Sequence, residues 1–84
     1  MLNILYFASL REELGQSSDA LVLPSDVTDV AGLVAHLLAT RGERWASLAD
    51  TSRVLVAVNQ TIVDRSHRLS GTEELAFFPP MTGG

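Results

Sequence analysis

Few side chains in this 84-residue sequence have types and spacing that would let them do chemistry together. His36 and His67 are its two histidines, and neither has a partner at useful metal-ligand spacing. Both read as solvated surface residues, and no metal site is expected. Ser9, Ser17, Ser18 and Ser25 have no base nearby, and capping and turns account for them. Glu12-Glu13 and Glu73-Glu74 are adjacent pairs, and neighbouring side chains in a strand point to opposite sides. Paired acid–base work is therefore not expected of them. With no cysteine there is no thiol nucleophile, disulfide framework or zinc knuckle.

What is left is the terminal carboxylate. The chain ends Phe77, Phe78, Pro79, Pro80, Met81, Thr82, Gly83, Gly84. Two aromatics close a strand, and two prolines, which lack an N–H, stop it. Gly83 and Gly84 carry no Cβ, so backbone here can enter a narrow channel without a clash. From Pro79 onward the tail would reach roughly 20 Å if extended. A carboxylate with a pKa of about 3.3–3.7 is ionised at pH 7 and is a poor electrophile. Acyl chemistry would need prior activation, typically as an acyl-adenylate made by another protein. The alternative is an ordinary frayed terminus.

Length and composition bound the rest. Eighty-four residues make one domain. Such a chain buries about 60% of its unfolded surface, enough for a core without staples. Hydrophobic residues at 46% and charged residues at 19% exclude a disordered chain. The net charge is −4 and there is no basic stripe, which argues against nucleic-acid binding. The apolar start Met1–Leu10 lacks a basic leader and is interrupted by Arg11-Glu12-Glu13, so no signal peptide is expected. No apolar run approaches 18 residues, so no membrane span is expected and the cytoplasm is the default location. All six basic residues are arginine. Either codon bias explains the missing lysines, or a chain with a reactive acyl end benefits from holding no side-chain amine.

The elements that would carry this tail follow from hydrophobic period. Residues 2–8 read as a first strand, with Leu2, Ile4 and Tyr6 on one face and Leu5 and Phe7 on the other. Ser9-Leu10-Arg11-Glu12 fits a capping box, opening a short helix that Gly15 ends. Residues 20–23 read as strand two, stopped by Pro24. Thr28 is the expected N-cap of a longer helix, with Asp29 favourable at its positive end. Val30, Leu33, Val34, Leu37 and Leu38 form its apolar stripe, and Gly42 ends it. Trp45 and Leu48 suggest one more helical turn. Residues 53–58 read as an interior strand, Asn59-Gln60 as a turn, and Thr61-Ile62-Val63 as a short return strand. Residues 64–70 are irregular, anchored by Leu69, and Ser70-Gly71 is a turn. Residues 74–78 are the last strand.

One helix of about three turns must then cover one face of a mixed sheet. Strand two pairs antiparallel with strand one, and the last strand lies parallel to the first at the centre. This is an α+β chain with the β-grasp, or ubiquitin-like, arrangement: a mixed five-stranded sheet, one main helix, short helices and a flexible Gly-Gly tail. Residues 1–78 form the domain and 79–84 the extended tail. Leu5, Phe7 and Phe78 share the sheet face opposite the helix, with Ile62 at its border. Either that face docks a partner beside the tail, or the loop after the long helix folds over it.

The segments Val58-Asn59-Gln60-Thr61-Ile62-Val63 and Ala76-Phe77-Phe78-Pro79-Pro80-Met81-Thr82-Gly83-Gly84 resemble the small, sulfur-carrying subunit family of molybdopterin synthase. Leu5-Tyr6-Phe7-Ala8 with Leu10-Arg11-Glu12, and Arg44-Trp45, extend the resemblance over essentially the whole chain. It implies that the Gly84 carboxylate, presented through Gly83, is adenylated by an E1-like activating enzyme using ATP and converted by a persulfide to a thiocarboxylate (a C-terminal thioglycine). The sulfur then passes to a cyclic pyranopterin phosphate in the large subunit, forming the molybdopterin dithiolene. The resemblance further implies a heterotetramer and a carrier that binds no permanent cofactor and is not an enzyme by itself. Phe7, Ile62 and Phe78 match positions that face the large subunit, and Pro79, Pro80, Met81 and Thr82 belong to the inserted tail. Two departures stand out: Ser70-Gly71-Thr72-Glu73 replaces the usual Asp-Gly-Asp-Glu, and Met81 replaces the usual valine. A thiamine-pathway sulfur carrier, a ubiquitin-like protein modifier and an interaction domain with an inert tail are the rival readings.

Overall fold

The computed structural model describes residues 1–80. The order is β1 (Leu2–Tyr6), α1 (Ser9–Leu14), β2 (Ser18–Leu21), α2 (Val30–Arg41), a 3-10 helix (Glu43–Ala49), β3 (Leu55–Val58), β4 (Thr61–Val63) and β5 (Glu74–Phe78). The sheet runs β2-β1-β5-β3-β4. Only the β1–β5 pair is parallel, and it sits at the centre. This is the expected β-grasp arrangement.

Alternation along the strands divides the apolar residues between two faces. Leu2, Ile4 and Tyr6 of β1 and Leu75 and Phe77 of β5 are buried beneath Val30, Leu33, Val34 and Leu37 of α2. Trp45 and Leu48 close the same core from the 3-10 helix. The Trp45 indole N–H donates to the Tyr6 hydroxyl at 3.1 Å, and the rings meet edge to face with centroids 6.3 Å apart. Phe77 stacks on Tyr6 with ring centroids 6.2 Å apart. Burial pushes the Tyr6 phenol up to about 12, so it stays a neutral hydrogen-bonding core residue.

Several boundaries depart from the sequence expectation. The Ser9 capping box does not form. Ala8 precedes α1 at φ 54°, ψ −131°, with no side-chain cap. Phe7 N–H still bonds the Phe77 carbonyl at 3.0 Å, so the chain must leave the sheet abruptly. Leu10 and Arg11 N–H then close the first turn on the Phe7 and Ala8 carbonyls, each at 3.1 Å, and Ser9 is already helical.

Strand β2 starts two residues early, at Ser18. Its register with β1 sets this: Leu5 faces Ser18 and Leu2 faces Leu21. Beyond Leu21 the strand has no pairing partner, and Val22 is 75% exposed.

The α2 cap is Asp29 rather than Thr28. Its carboxylate accepts the Gly32 N–H at 2.8 Å, while the Thr28 carbonyl is engaged by Leu69 N–H at 2.9 Å. A Cβ at Gly32 would meet Asp29 Oδ1 at 3.2 Å, so the mid-helix glycine keeps room for the cap. Leu38, at the edge of the stripe, stays at the surface. Arg53 lies in a turn rather than in β3, because the Asp50 carbonyl takes both Arg53 N–H (3.1 Å) and Val54 N–H (3.0 Å).

The Asn59-Gln60 turn is as expected, and both residues have positive φ, 49° and 72°. That is the conformation a two-residue hairpin needs to match strand twist. The Asn59 side chain also accepts Glu74 N–H at 3.0 Å, tying the hairpin to the start of β5.

Candidate functional site

The site is built from the face of the sheet that α2 does not cover. Strand register lines up Leu5, Ala76, Ala57 and Ile62 in one row across four strands. In the next row toward the tail, Phe78 faces Leu55. Phe7 follows the Tyr6–Phe77 pair on β1 and so stands beside Phe78. Phe7 is 45% and Ile62 63% exposed, while Leu5, Leu55, Ala76 and Phe78 are half-buried. At the far end of this face the row is polar, with Asn3 opposite Glu74. The apolar part therefore lies at the end where the chain leaves β5.

The segment after α2 does not fold over this face. It turns back as the 3-10 helix and packs on the helix side, where Trp45 and Leu48 are buried. Among the described residues nothing covers Phe7 or Ile62, and monomers seldom leave such a contiguous apolar surface without a use.

Beyond Phe78, Pro79 and Pro80 line a cleft of about 250 Å³ with Ser9, Leu10, Arg53 and Val54. A second cleft of about 230 Å³ lies across the turn at residues 50–53, lined by Val54, Leu55, Val63 and Arg65. The expected reacting residues Gly83 and Gly84, and the tail residues Met81 and Thr82, lie outside the described residues. The structure brings Phe7 and Phe78 together, places Ile62 on the same face two strands from Phe78, and sets Pro79 and Pro80 at the exit.

Elsewhere the described residues hold little chemistry. No three metal-ligating side chains gather among them. His36 is half-buried on α2 and His67 is exposed in the irregular segment, so they form no pair. Within those residues no helix is long and apolar enough to cross a membrane.

Sequence reasoning missed three contributors. Leu55 and Ala57 complete the apolar rows, and the both-faces-apolar pattern of β3 was the available signal. Arg65 had none. Its guanidinium donates to the carbonyls of Leu48 and of Val54 (2.8 Å to Val54) and lies 6.0 Å from the Phe77 ring centre. Burial lowers its pKa, an effect that the Asp50 charge opposes.

The model of the ThiS family matches residues 4–84. The molybdopterin synthase sulfur carrier subunit of Escherichia coli strain K12 is 42% identical over 84 residues, covering all of both chains. Its namesake in Haemophilus influenzae is 40% identical over the same span. Among solved structures, a putative molybdopterin converting factor, subunit 1, from Pyrococcus furiosus superposes with a TM-score of 0.73 at 21% identity. That match covers 95% of this chain and 97% of the other. The small archaeal modifier protein 1 of Haloferax volcanii gives a TM-score of 0.71 at 20% identity over 95% and 97%. At such identities these two structures speak to the fold, which they share.

Proposed function

This chain belongs to the ThiS family, and we propose that it works as the sulfur carrier subunit of a molybdopterin synthase, with the Gly84 carboxylate as its reacting group. The observation that carries this reading is the coincidence of two features at one end of the sheet. Phe78 ends the central strand inside an uncovered apolar surface, and Pro79-Pro80 lead directly from it into the Gly-Gly terminus.

Each feature has a separate task. The apolar rows dock the large subunit, with Phe7, Phe78 and Ile62 as anchors. Docking supplies affinity, because a glycine tail loses more freedom than other residues when it is threaded into a channel. Pro79 and Pro80 are already restricted and pair with no strand, so the ladder of β5 stops at Phe78.

The chemistry starts with activation. An E1-like enzyme lets a Gly84 carboxylate oxygen attack the α-phosphorus of ATP, releasing pyrophosphate. A persulfide sulfur then displaces AMP from the acyl carbon, and a second thiol attacks the resulting acyl disulfide, releasing the thiocarboxylate and leaving a disulfide behind. The sulfur of this anion bonds to a carbon of the cyclic pyranopterin held by the large subunit, and water then cleaves the acyl C–S bond, returning the Gly84 carboxylate. In this reading no cofactor stays bound to the carrier, and ATP acts only through the activating enzyme.

Intact mass after incubation with activating enzyme, ATP and a persulfide donor tests this. The expected product is heavier by the difference between one sulfur and one oxygen, located at the C-terminus. An unchanged mass with an enzyme that charges a known carrier would overturn the reading. Amide-linked conjugates in place of that product would assign the chain to protein modification instead.

A further inference from the structure

The turn beside the tail exit has a feature that the apolar face does not explain. Its shape is fixed from several sides. The Asp50 carbonyl accepts from Arg53 and Val54, and the Asp50 carboxylate accepts Ser52 N–H at 3.1 Å and Ser52 Oγ–H at 2.6 Å. Beneath the turn, the Arg65 guanidinium bonds the Leu48 and Val54 carbonyls that flank it. At its end stands Arg53, exposed on the wall of the cleft it shares with Pro79 and Pro80. The Arg41 guanidinium is spent on Asp19 (2.9 Å) and that of Arg65 on carbonyls. Among the described residues the Arg53 guanidinium, like those of Arg11, Arg44 and Arg68, makes neither an ion pair nor a hydrogen bond, and of these four it alone lines the cleft at the tail exit. Two positions on, Leu55 lies in the apolar row facing Phe78. Arg53 therefore sits where the apolar face, the cleft and the tail meet.

A partner that covers Phe78 and Leu55 and follows the chain past Pro79-Pro80 must take water away from Arg53. Removing water from a guanidinium without supplying an acceptor is costly. A carboxylate matches its planar fork through two parallel hydrogen bonds. We propose that Arg53 is a specificity contact of the docking surface, pairing with a carboxylate of the large subunit as that subunit takes up the tail. The proposal rests on the sulfur-carrier reading and adds one charged corner to its apolar surface. Arg65 contributes indirectly, by holding the turn that presents Arg53.

The corner is at the rim, so its effect falls on association rate and salt dependence more than on residence time. Titration of the cognate large subunit with the full chain, at low and high salt, reads both. Arg53→Met should weaken binding by about five- to tenfold at low salt and flatten its salt dependence. Arg53→Glu should weaken it by about a hundredfold through repulsion. Arg53→Lys, which keeps the charge and loses the fork, should lose about two- to threefold. The melting temperature of the free chain should hardly move for Arg53→Met or Arg53→Lys, because no described group hydrogen-bonds this guanidinium and its charge reaches the Asp50 carboxylate only at the exposed surface. Parent-like affinity and salt dependence in both Arg53→Met and Arg53→Glu would overturn the proposal, and so would tighter binding by Arg53→Glu. Phe78→Asp separates the two levels: if it abolishes docking while the Arg53 variants are silent, only the charged corner falls. If the unaltered chain does not bind the large subunit, both readings fall.

Discussion

Four donors converge on the Glu73 carboxylate in the turn before β5. Ser70, Gly71 and Thr72 give their backbone N–H groups at 2.7, 2.8 and 3.1 Å, and the Ser70 hydroxyl adds a fourth bond at 3.0 Å. Burial pushes the acid up, yet the Ser70 and Gly71 N–H groups, with the Ser70 hydroxyl, outweigh it and hold Glu73 at about 2 against an ordinary 4.5. The folded state thus favours the carboxylate. Its contribution is fully present above pH about 4.5 and is lost as the pH falls toward 2. Part of the group faces water, so about 1 kcal/mol is expected at pH 7 rather than the full linkage value. Urea unfolding should show Glu73→Gln weaker by that amount at pH 7, with the gap to the parent closing as the pH approaches 2. A gap of constant size would mean that the charge is not what the turn uses. Ser70-Gly71-Thr72-Glu73 departs from the acidic turn usual in the family, but one carboxylate here satisfies the turn alone. The sequence marked the turn through Gly71, which sits at φ 111°, and could not show which side chain would fold back over it.

At the scale of the strands, alternation was the legible signal. It placed Phe7 and Phe78 on the face away from α2, because side chains two apart share a face wherever a strand forms. It did not fix lengths. Arg53 is held out of β3 by a turn on the Asp50 carbonyl three residues back, whereas β2 is bounded by what β1 leaves to pair, a constraint that is not local to it. Arg65 was invisible for the same reason, since it serves carbonyls 17 and 11 residues away. The two-faced character of β5 predicts a separation of effects. Phe77 is fully buried against Tyr6, whereas Phe78 is half-buried beside Leu55 and Phe7. Phe78→Asp should therefore reduce large-subunit affinity by more than about a hundredfold while costing the monomer only about 1 kcal/mol. Equal losses in a binding titration and a chemical unfolding curve would make Phe78 a core residue and remove the docking surface.

The whole molecule is arranged so that its last strand is also its central one. β5 is bonded to β1 on one side and β3 on the other, so the root of the tail is among the best-anchored backbone in the sheet. Topology was legible because the order of elements, with one long helix and a final strand, leaves few ways to cover a small sheet. The exit geometry was legible only in part. Phe-Phe-Pro-Pro located it, while the neighbouring turn at 50–53 combines local Asp50–Ser52 contacts with the Arg65 brace, which joins residues far apart in sequence and which no pattern announces. An anchored root followed by two prolines should make body and tip independent. On the sulfur-carrier proposal, removing Gly84 takes away the reacting carboxylate and leaves the tail one residue short for an activating site that requires its full length. The core cluster that holds Phe77, Leu75 and Tyr6 is built from residues 2–77. The shortened chain should therefore melt within about 1 °C of the parent, because changes far below 1 kcal/mol shift the midpoint by less than the several degrees expected for a full one. It should bind the large subunit within about threefold, since the rows around Phe7 and Phe78 are intact. It should yield no thiocarboxylate by intact mass under conditions that charge the parent. Loss of folding on this deletion would mean that the tip is part of the body, and continued charging would mean that the carboxylate of Gly84 is not the group the fold presents.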